Sequence, residues 1–227
     1  MVFSSLLFLF HFLPAILIVY YIVPHPWRNL VLFLFSLVFY AWCEPVYIVL
    51  MLTSILISYT GGILVDRFKR AEKKKAAKAA LIVSSVLSLS LLAFFKYADF
   101  VIQTISGLSG VGISMLNIAL PIGISFYTFQ TISYTIDVYR GEAAVQRNLI
   151  SFGTYVAMFP QLIAWPIVQY KTIDAQLRSR RETAEQFAEG IHRFMIGLKT
   201  ATERLLLKRE SKDIYFAEDA NIGRLMN

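Results

Sequence analysis

The sequence predicts an all-α polytopic membrane protein of about five spans, with a re-entrant segment and a surface amphipathic helix. Three observations lead there. Of the 227 residues 57% are hydrophobic and only 16% charged, against about 45–50% and about 25% in soluble domains, and the mean hydropathy is +0.59. The apolar residues gather into runs near the ~20 residues that cross a bilayer as a helix. The basic residues stand between those runs, as Lys and Arg do in cytoplasmic loops. That placement accounts for the net charge of +7 without nucleic acid, for which the chain carries no motif. The single cysteine, Cys43, excludes an internal disulfide and reads as an inert buried thiol.

The first run, Phe3 to Val23, is interrupted only by His11 and Pro14. No basic residue precedes it and no small-residue cleavage pattern follows, so it reads as a retained span rather than a signal peptide. His11, costly in lipid, either serves a function or bonds a neighbouring helix. Pro24, His25, Pro26 and Arg28 make a tight connection. A second span, Leu30 to Trp42, ends in Phe39, Tyr40 and Trp42, rings that favour the headgroup region. Glu44 and Pro45 turn the chain into a third span, Val46 to Val65, whose Thr53, Ser54, Ser58, Gly61 and Gly62 permit close helix approach.

Asp66 to Lys78 carries seven Lys and Arg against Asp66 and Glu72 and is read as a cytoplasmic loop, which places the amino terminus outside. The fourth span, Ala79 to Phe95, runs outward to an interfacial anchor at Lys96 and Tyr97. Val101 to Asn117 is too polar to span comfortably and reads as an outer loop with a short surface helix. Leu120 to Tyr139 crosses inward. It ends where Asp137 and Arg140, three apart, can pair on one face and Gly141 suits a helix stop.

Leu149 to Tyr170 is apolar but broken by Pro160 and Pro166. Full crossing would strand Lys171, Arg178, Arg180, Arg181 and Arg193 outside, so the run is read as re-entrant, returning to the cytoplasmic side. Thr183 with Gln186 makes a capping box. Phe187, Ile191, Phe194 and Leu198 then form one apolar stripe, as on a helix lying along the inner membrane surface. Residues 1–199 are read as one membrane domain and 200–227, with balanced charges, as a divergent soluble tail.

Glycine-rich phosphate loops, zinc-ligand spacing and a nucleophilic serine elbow are absent from the sequence, so no metal site is expected. A transporter would show paired ionisable residues within spans and related halves, and beyond Asp137 neither is seen.

Between Leu120 and Tyr170 the prolines and glycines that interrupt apolar sequence suggest a cavity wall, because backbone groups freed in lipid must be satisfied by protein or by enclosed water. This stretch, with Leu120-Pro121-Ile122-Gly123-Ile124-Ser125-Phe126-Tyr127-Thr128-Phe129-Gln130, Ile136 to Gly141 and Phe159 to Pro166, resembles the membrane-bound O-acyltransferase family, in its branch that acetylates alginate and related exported polysaccharides. Met1 to Ser5, Val38 to Trp42, Phe94 to Tyr97 and Phe194 to Leu198 continue the resemblance in order.

The resemblance implies a bacterial inner-membrane enzyme whose funnel takes an acyl donor, acetyl-CoA or another activated acyl carrier, from the cytoplasmic side to an acceptor hydroxyl outside. No cofactor is expected to be bound. The partners it implies are the lipid bilayer and periplasmic polysaccharide-acetylation proteins. The funnel candidates are Tyr127, Gln130, Asp137, Pro160, Gln161 and Tyr170.

The family's intramembrane histidine, a general base for the hydroxyl, belongs to the second half of the family's chain. His11, His25 and His192 do not match its motif, so no catalytic residue is assigned. Trp165 stands where the family usually has glycine, and Gln169 where it has arginine. The expectation is therefore the amino-terminal half of an acyltransferase that needs a carboxyl-terminal half and is inactive alone. The competing reading is a non-catalytic membrane scaffold or decayed remnant.

Overall fold

The computed structural model describes residues 6–109, 121, 123–163, 169–178, 180 and 183–200. Trp165, the surroundings of Pro166, residues 110–120 and the tail beyond 200 lie outside them. Every regular element among the described residues is helical. The chain divides into two units, Met1–Ser179 and Arg180–Asn227.

In the first unit a π turn, Phe8–Phe12, leads into α1, Leu13–Ile22. Pro14 explains the irregular start, since it offers no N–H to the preceding turn, and the Leu13 N–H reaches back to the Phe8 carbonyl. After Pro24 and a short 3-10 turn, His25–Trp27, come α2, Arg28–Cys43, and α3, Ile48–Arg70. The Arg28 guanidinium lies over the Tyr20 ring, 4.9 Å from its centroid. Phe8, Phe12, Phe39 and Phe159 form a separate aromatic cluster, with ring centroids 5.5–6.0 Å apart, a separation suited to edge-to-face packing.

The basic stretch read as a loop over Asp66 to Lys78 is mostly helix. Asp66, Arg67, Lys69 and Arg70 belong to the last turn of α3, and α4, Lys74–Ser109, begins four residues later. The connection is a tight turn in which Glu72 takes φ +55° and the Lys73 N–H bonds the Phe68 carbonyl at 2.9 Å. Basic side chains at a helix carboxyl end are favourably placed against its dipole, so charge alone did not distinguish loop from helix end.

The outer loop expected over Val101 to Asn117 is corrected in its first half, because α4 continues unbroken through residues 101–109. No proline or sustained turn signal intervenes, and the hydroxyl of Thr104 bonds back to the Phe100 carbonyl at 2.9 Å within the helix. The 36 residues of α4 reach about 54 Å at 1.5 Å per residue, well beyond a hydrocarbon core of about 30 Å. α3 and α4 are both long and apolar enough to cross a membrane, and the apolar stretch Phe8–Ile22 is shorter.

α5, Ile124–Arg140, packs against both α3 and α4. Paired glycines allow this: a Cβ on Gly61 would lie 2.6 Å from Ser84 Cβ of α4, and one on Gly62 would lie 2.8 Å from Tyr134 Cε1 of α5. α5 stops at Gly141, φ +84°. The Asp137–Arg140 pair does not form. Arg140 points outward to Glu142, 4.0 Å away, while the Asp137 carboxylate is turned inward and buried.

The broken run after residue 148 is three short helices: α6, Leu149–Ala157, α7, Phe159–Ile163, and α8, Tyr170–Arg178. Asn148 caps α6 through bonds from the Ile150 and Ser151 N–H groups. At nine residues, α6 covers about 13–14 Å, less than half a bilayer core. In the second unit α9, residues 184–200, opens with a reciprocal capping box: the Gln186 N–H donates to Thr183 Oγ1 and the Thr183 N–H to Gln186 Oε1. Phe187, Ile191 and Phe194 of its apolar stripe are exposed.

Candidate functional site: the broken helix against α5

Tyr127, Gln130, Thr131, Tyr134, Asp137 and Val138 recur along α5 at helical spacing, and all are buried. This face meets α6, which is buried from Ser151 to Ala157. Met158 leaves helical geometry at ψ 114°, and Pro160 has no N–H to extend the ladder. Two groups lose their ordinary helical partners there, and side chains from other helices replace them. Gln130 Nε2 donates to the Tyr155 carbonyl at 2.9 Å. The Phe159 N–H donates to Ser36 Oγ of α2 at 3.3 Å. A break in an apolar segment thus persists because neighbouring protein satisfies it.

Below the break lies an aromatic and amide network. The Tyr170 ring stands edge-on to those of Tyr134 and Tyr155, with centroids 4.9 and 5.1 Å away. The Tyr134 hydroxyl accepts from the Gln146 N–H at 2.9 Å, and Gln146 Nε2 donates to the Tyr170 hydroxyl at 3.0 Å. That hydroxyl donates in turn to Asp174 Oδ1 at 2.6 Å. Gln146, just before the broken run, and Tyr170, just after its central part, are therefore bonded to one another. Asn29 at the start of α2 strengthens the closure, donating to Ser151 Oγ and to the Leu177 carbonyl.

The six funnel candidates separate into two places. Tyr127 and Tyr170 are fully buried in the larger core, Gln130 bridges it to α6, and Asp137 lies at its edge with Glu142, Lys171 and Arg140 as charged neighbours. Pro160 and Gln161 instead follow Phe159, in the cluster with Phe8 and Phe39, and Pro160 is exposed. Two buried polar atoms among the six, Asp137 Oδ2 and Gln161 Nε2, lack a hydrogen-bond partner, and the buried Tyr127 hydroxyl lies beside Tyr40. Tyr134, Gln146, Tyr155, Asp174 and Ser36 complete the arrangement and were not singled out from sequence. Tyr134 was legible by its spacing of seven from Tyr127. Gln146 was not, because its neighbours Ala143, Ala144 and Val145 lie in an irregular link without periodicity.

The described part of this site contains no nucleophile held by a base, and among the described residues no group of three or more His, Cys, Asp or Glu could hold a metal. His25 stands beside Arg28, 3.4 Å from its Nη1, and His192 lies on α9. His11 lines a separate apolar cavity of about 290 Å³ with Phe12, Phe39 and Trp42. Gln169 is exposed, and its carbonyl accepts the Thr172 N–H at the start of α8.

Comparison with known proteins extends the sequence resemblance over most of the chain. A probable alginate O-acetylase of Pseudomonas aeruginosa is 42% identical over 201 residues, covering 87% of this chain and 38% of the relative. That of Azotobacter vinelandii is 40% identical over 201 residues, with 87% and 40% covered. Over this stretch the chain is similar to the alginate O-acetylases. A more distant relative is the peptidoglycan O-acetyltransferase of Helicobacter pylori, 28% identical, with 87% of the chain and 43% of the relative covered. The chain thus spans about two fifths of the length of the curated relatives it matches. No family model and no solved structure matches it.

In terms of these alginate O-acetylase homologues, the α5–α6–α8 network belongs to the portion they share with this chain.

Proposed function

We propose that this chain forms the donor-side half of a membrane O-acetyltransferase that esterifies hydroxyls of an exported polysaccharide. The observation that carries the reading is its 40–42% identity to alginate O-acetylases over 201 residues. The H. pylori relative acts, by its name, on a different glycan, so the shared element is acetyl transfer to a polysaccharide and alginate is the first acceptor to test. The activated donor, acetyl-CoA or another acyl carrier, enters from the cytoplasmic side. Transfer needs a general base, which residues beyond those shared here supply, on the same or another polypeptide.

In this proposal five segments cross the inner membrane, with the amino terminus outside and the α3–α4 turn in the cytoplasm. Residues 149–170 dip in and return. The geometry supports that order, since Gln146, Tyr170, Asn29, Ser151 and Leu177 gather at one end of the bundle. α9 lies along the inner surface. The bilayer and periplasmic acetylation proteins are its partners.

The test expresses the chain in an alginate-producing bacterium lacking its own alginate O-acetylase, alone and together with a second polypeptide carrying the rest of a relative. Ester acetate on the secreted polymer is measured by proton NMR. Acetylated polymer is expected only when both are present. Polymer without acetate in both strains, with both polypeptides detected in the membrane, would overturn the proposal and favour the scaffold reading that Trp165 and Gln169 suggest.

A further inference from the structure

A cavity of about 450 Å³ opens where the end of α3 faces the link between α5 and α6, lined by Asp66, Lys69, Arg70, Gly141, Gln146 and Arg147 among others. Three cations from two separate stretches of chain meet one carboxylate there. We propose that it is a phosphate-binding site, filled by the phosphate of an anionic lipid headgroup or of a soluble phosphate ester.

The cations are positioned rather than merely present. Lys69 Nζ donates to the Val138 carbonyl at the end of α5, at 3.1 Å, which anchors an ammonium that has three donors. Gly141 turns the chain past it at φ +84°, and a Cβ there would already stand 3.4 Å from Lys69 Nζ. The Arg147 carbonyl accepts from the Tyr59 hydroxyl of α3 at 2.6 Å, which ties this part of the link to α3. Asp66 takes Arg70 Nε at 3.0 Å but stands 3.9 Å from Arg147 Nη2. One carboxylate therefore binds the Arg70 guanidinium and lies near that of Arg147 without neutralising three cations. A planar five-donor fork matches phosphate oxygens two at a time, and a phosphate brings the charge that the lining lacks.

The plain alternative is that these residues only mark the cytoplasmic side of the membrane. Lys74 and Lys75 discriminate, because they are exposed at the same end of α3 and α4 and do not line the cavity. The proposal does not depend on acetyl transfer, so it survives or fails apart from that reading.

The test uses the full chain in detergent micelles. Inorganic pyrophosphate is titrated calorimetrically, and retention of phosphatidylglycerol against phosphatidylcholine is read by native mass spectrometry. R70Q/R147Q is expected to weaken binding of the retained probe by about tenfold or more, as loss of charge-assisted bidentate contacts implies, and K74Q/K75Q by less than about twofold, as screened surface charge implies. R147K, which keeps charge but loses the fork, is expected to fall between, and serves if the double variant fails to fold. Selective retention of phosphatidylglycerol identifies a lipid headgroup as the source, and pyrophosphate binding identifies a soluble ester. Binding of neither probe, or equal losses in the arginine and lysine variants, would overturn the site.

Discussion

Replacing Gly62 with alanine is expected to destabilise the bundle by about 1–3 kcal/mol, the usual range for forcing extra volume into a packed core. The added Cβ would lie 2.8 Å from Tyr134 Cε1 and 3.1 Å from its hydroxyl oxygen. A fully buried ring carbon cannot yield as the end of a flexible chain would, so α3 and α5 must separate or the Tyr134 ring must move. Moving it also strains the bond its hydroxyl makes to the Gln146 N–H. The same substitution at Gly107 in α4, where nothing lies within 4 Å of the added Cβ, is expected to stabilise by about 0.5–1 kcal/mol through helix propensity alone. Thermal unfolding of both variants in one detergent reads the contrast. Shifts of the same sign would mean that the α3–α5 contact is not as close as described.

The second large effect is expected at Tyr170. Tyr170→Phe keeps the ring against Tyr134 and Tyr155 but deletes the hydroxyl that accepts from Gln146 Nε2 and donates to Asp174. It leaves a buried amide donor without its partner, a loss of about 1–3 kcal/mol. Tyr59→Phe provides the comparison, since the bond it removes, to the Arg147 carbonyl, is exposed and water can replace it. That variant is expected to lose about 1 kcal/mol or less. If the two variants unfold at the same midpoint, the buried network does not stabilise the return of the chain after α7.

Much of the architecture was legible because lipid imposes strong constraints. Apolar run lengths located α2, α3 and α5, and Gly141 marked a stop that the structure places there. The Thr183 and Gln186 capping box was readable because both bonds are local. What misled was polarity near a span end. Gln103 and Ser106 suggested a loop, yet a helix that outruns the hydrocarbon tolerates polar residues along its projecting turns. The lysines after Asp66 likewise fit a helix end as well as a loop.

Within the site, the α5 face could be read because its period is helical. The partners of the break could not, since Ser36 and Gln130 come from distant segments and only the fold brings them to Phe159 and Tyr155. Asp137 and Arg140 had the right spacing to pair, but spacing does not tell which side chain faces the core. No spacing in these residues carries the acetyl-transfer chemistry, which is proposed from similarity to the acetylases.

Residues 149–170 are proposed to enter the membrane and return, bringing Tyr170 back beside Gln146. Single cysteines at Val46, Glu142 and Lys171, each in a Cys43→Ser background, would be probed in spheroplasts with a membrane-impermeant maleimide before and after permeabilisation. All three positions are exposed, and Lys171 Nζ lies 3.5 Å from Glu142 Oε2. With re-entry, the Val46 position is expected to label in intact spheroplasts, and the Glu142 and Lys171 positions only after permeabilisation. Labelling of the Lys171 position in intact spheroplasts while the Glu142 position stays protected would mean that the segment crosses, and would rule out re-entry.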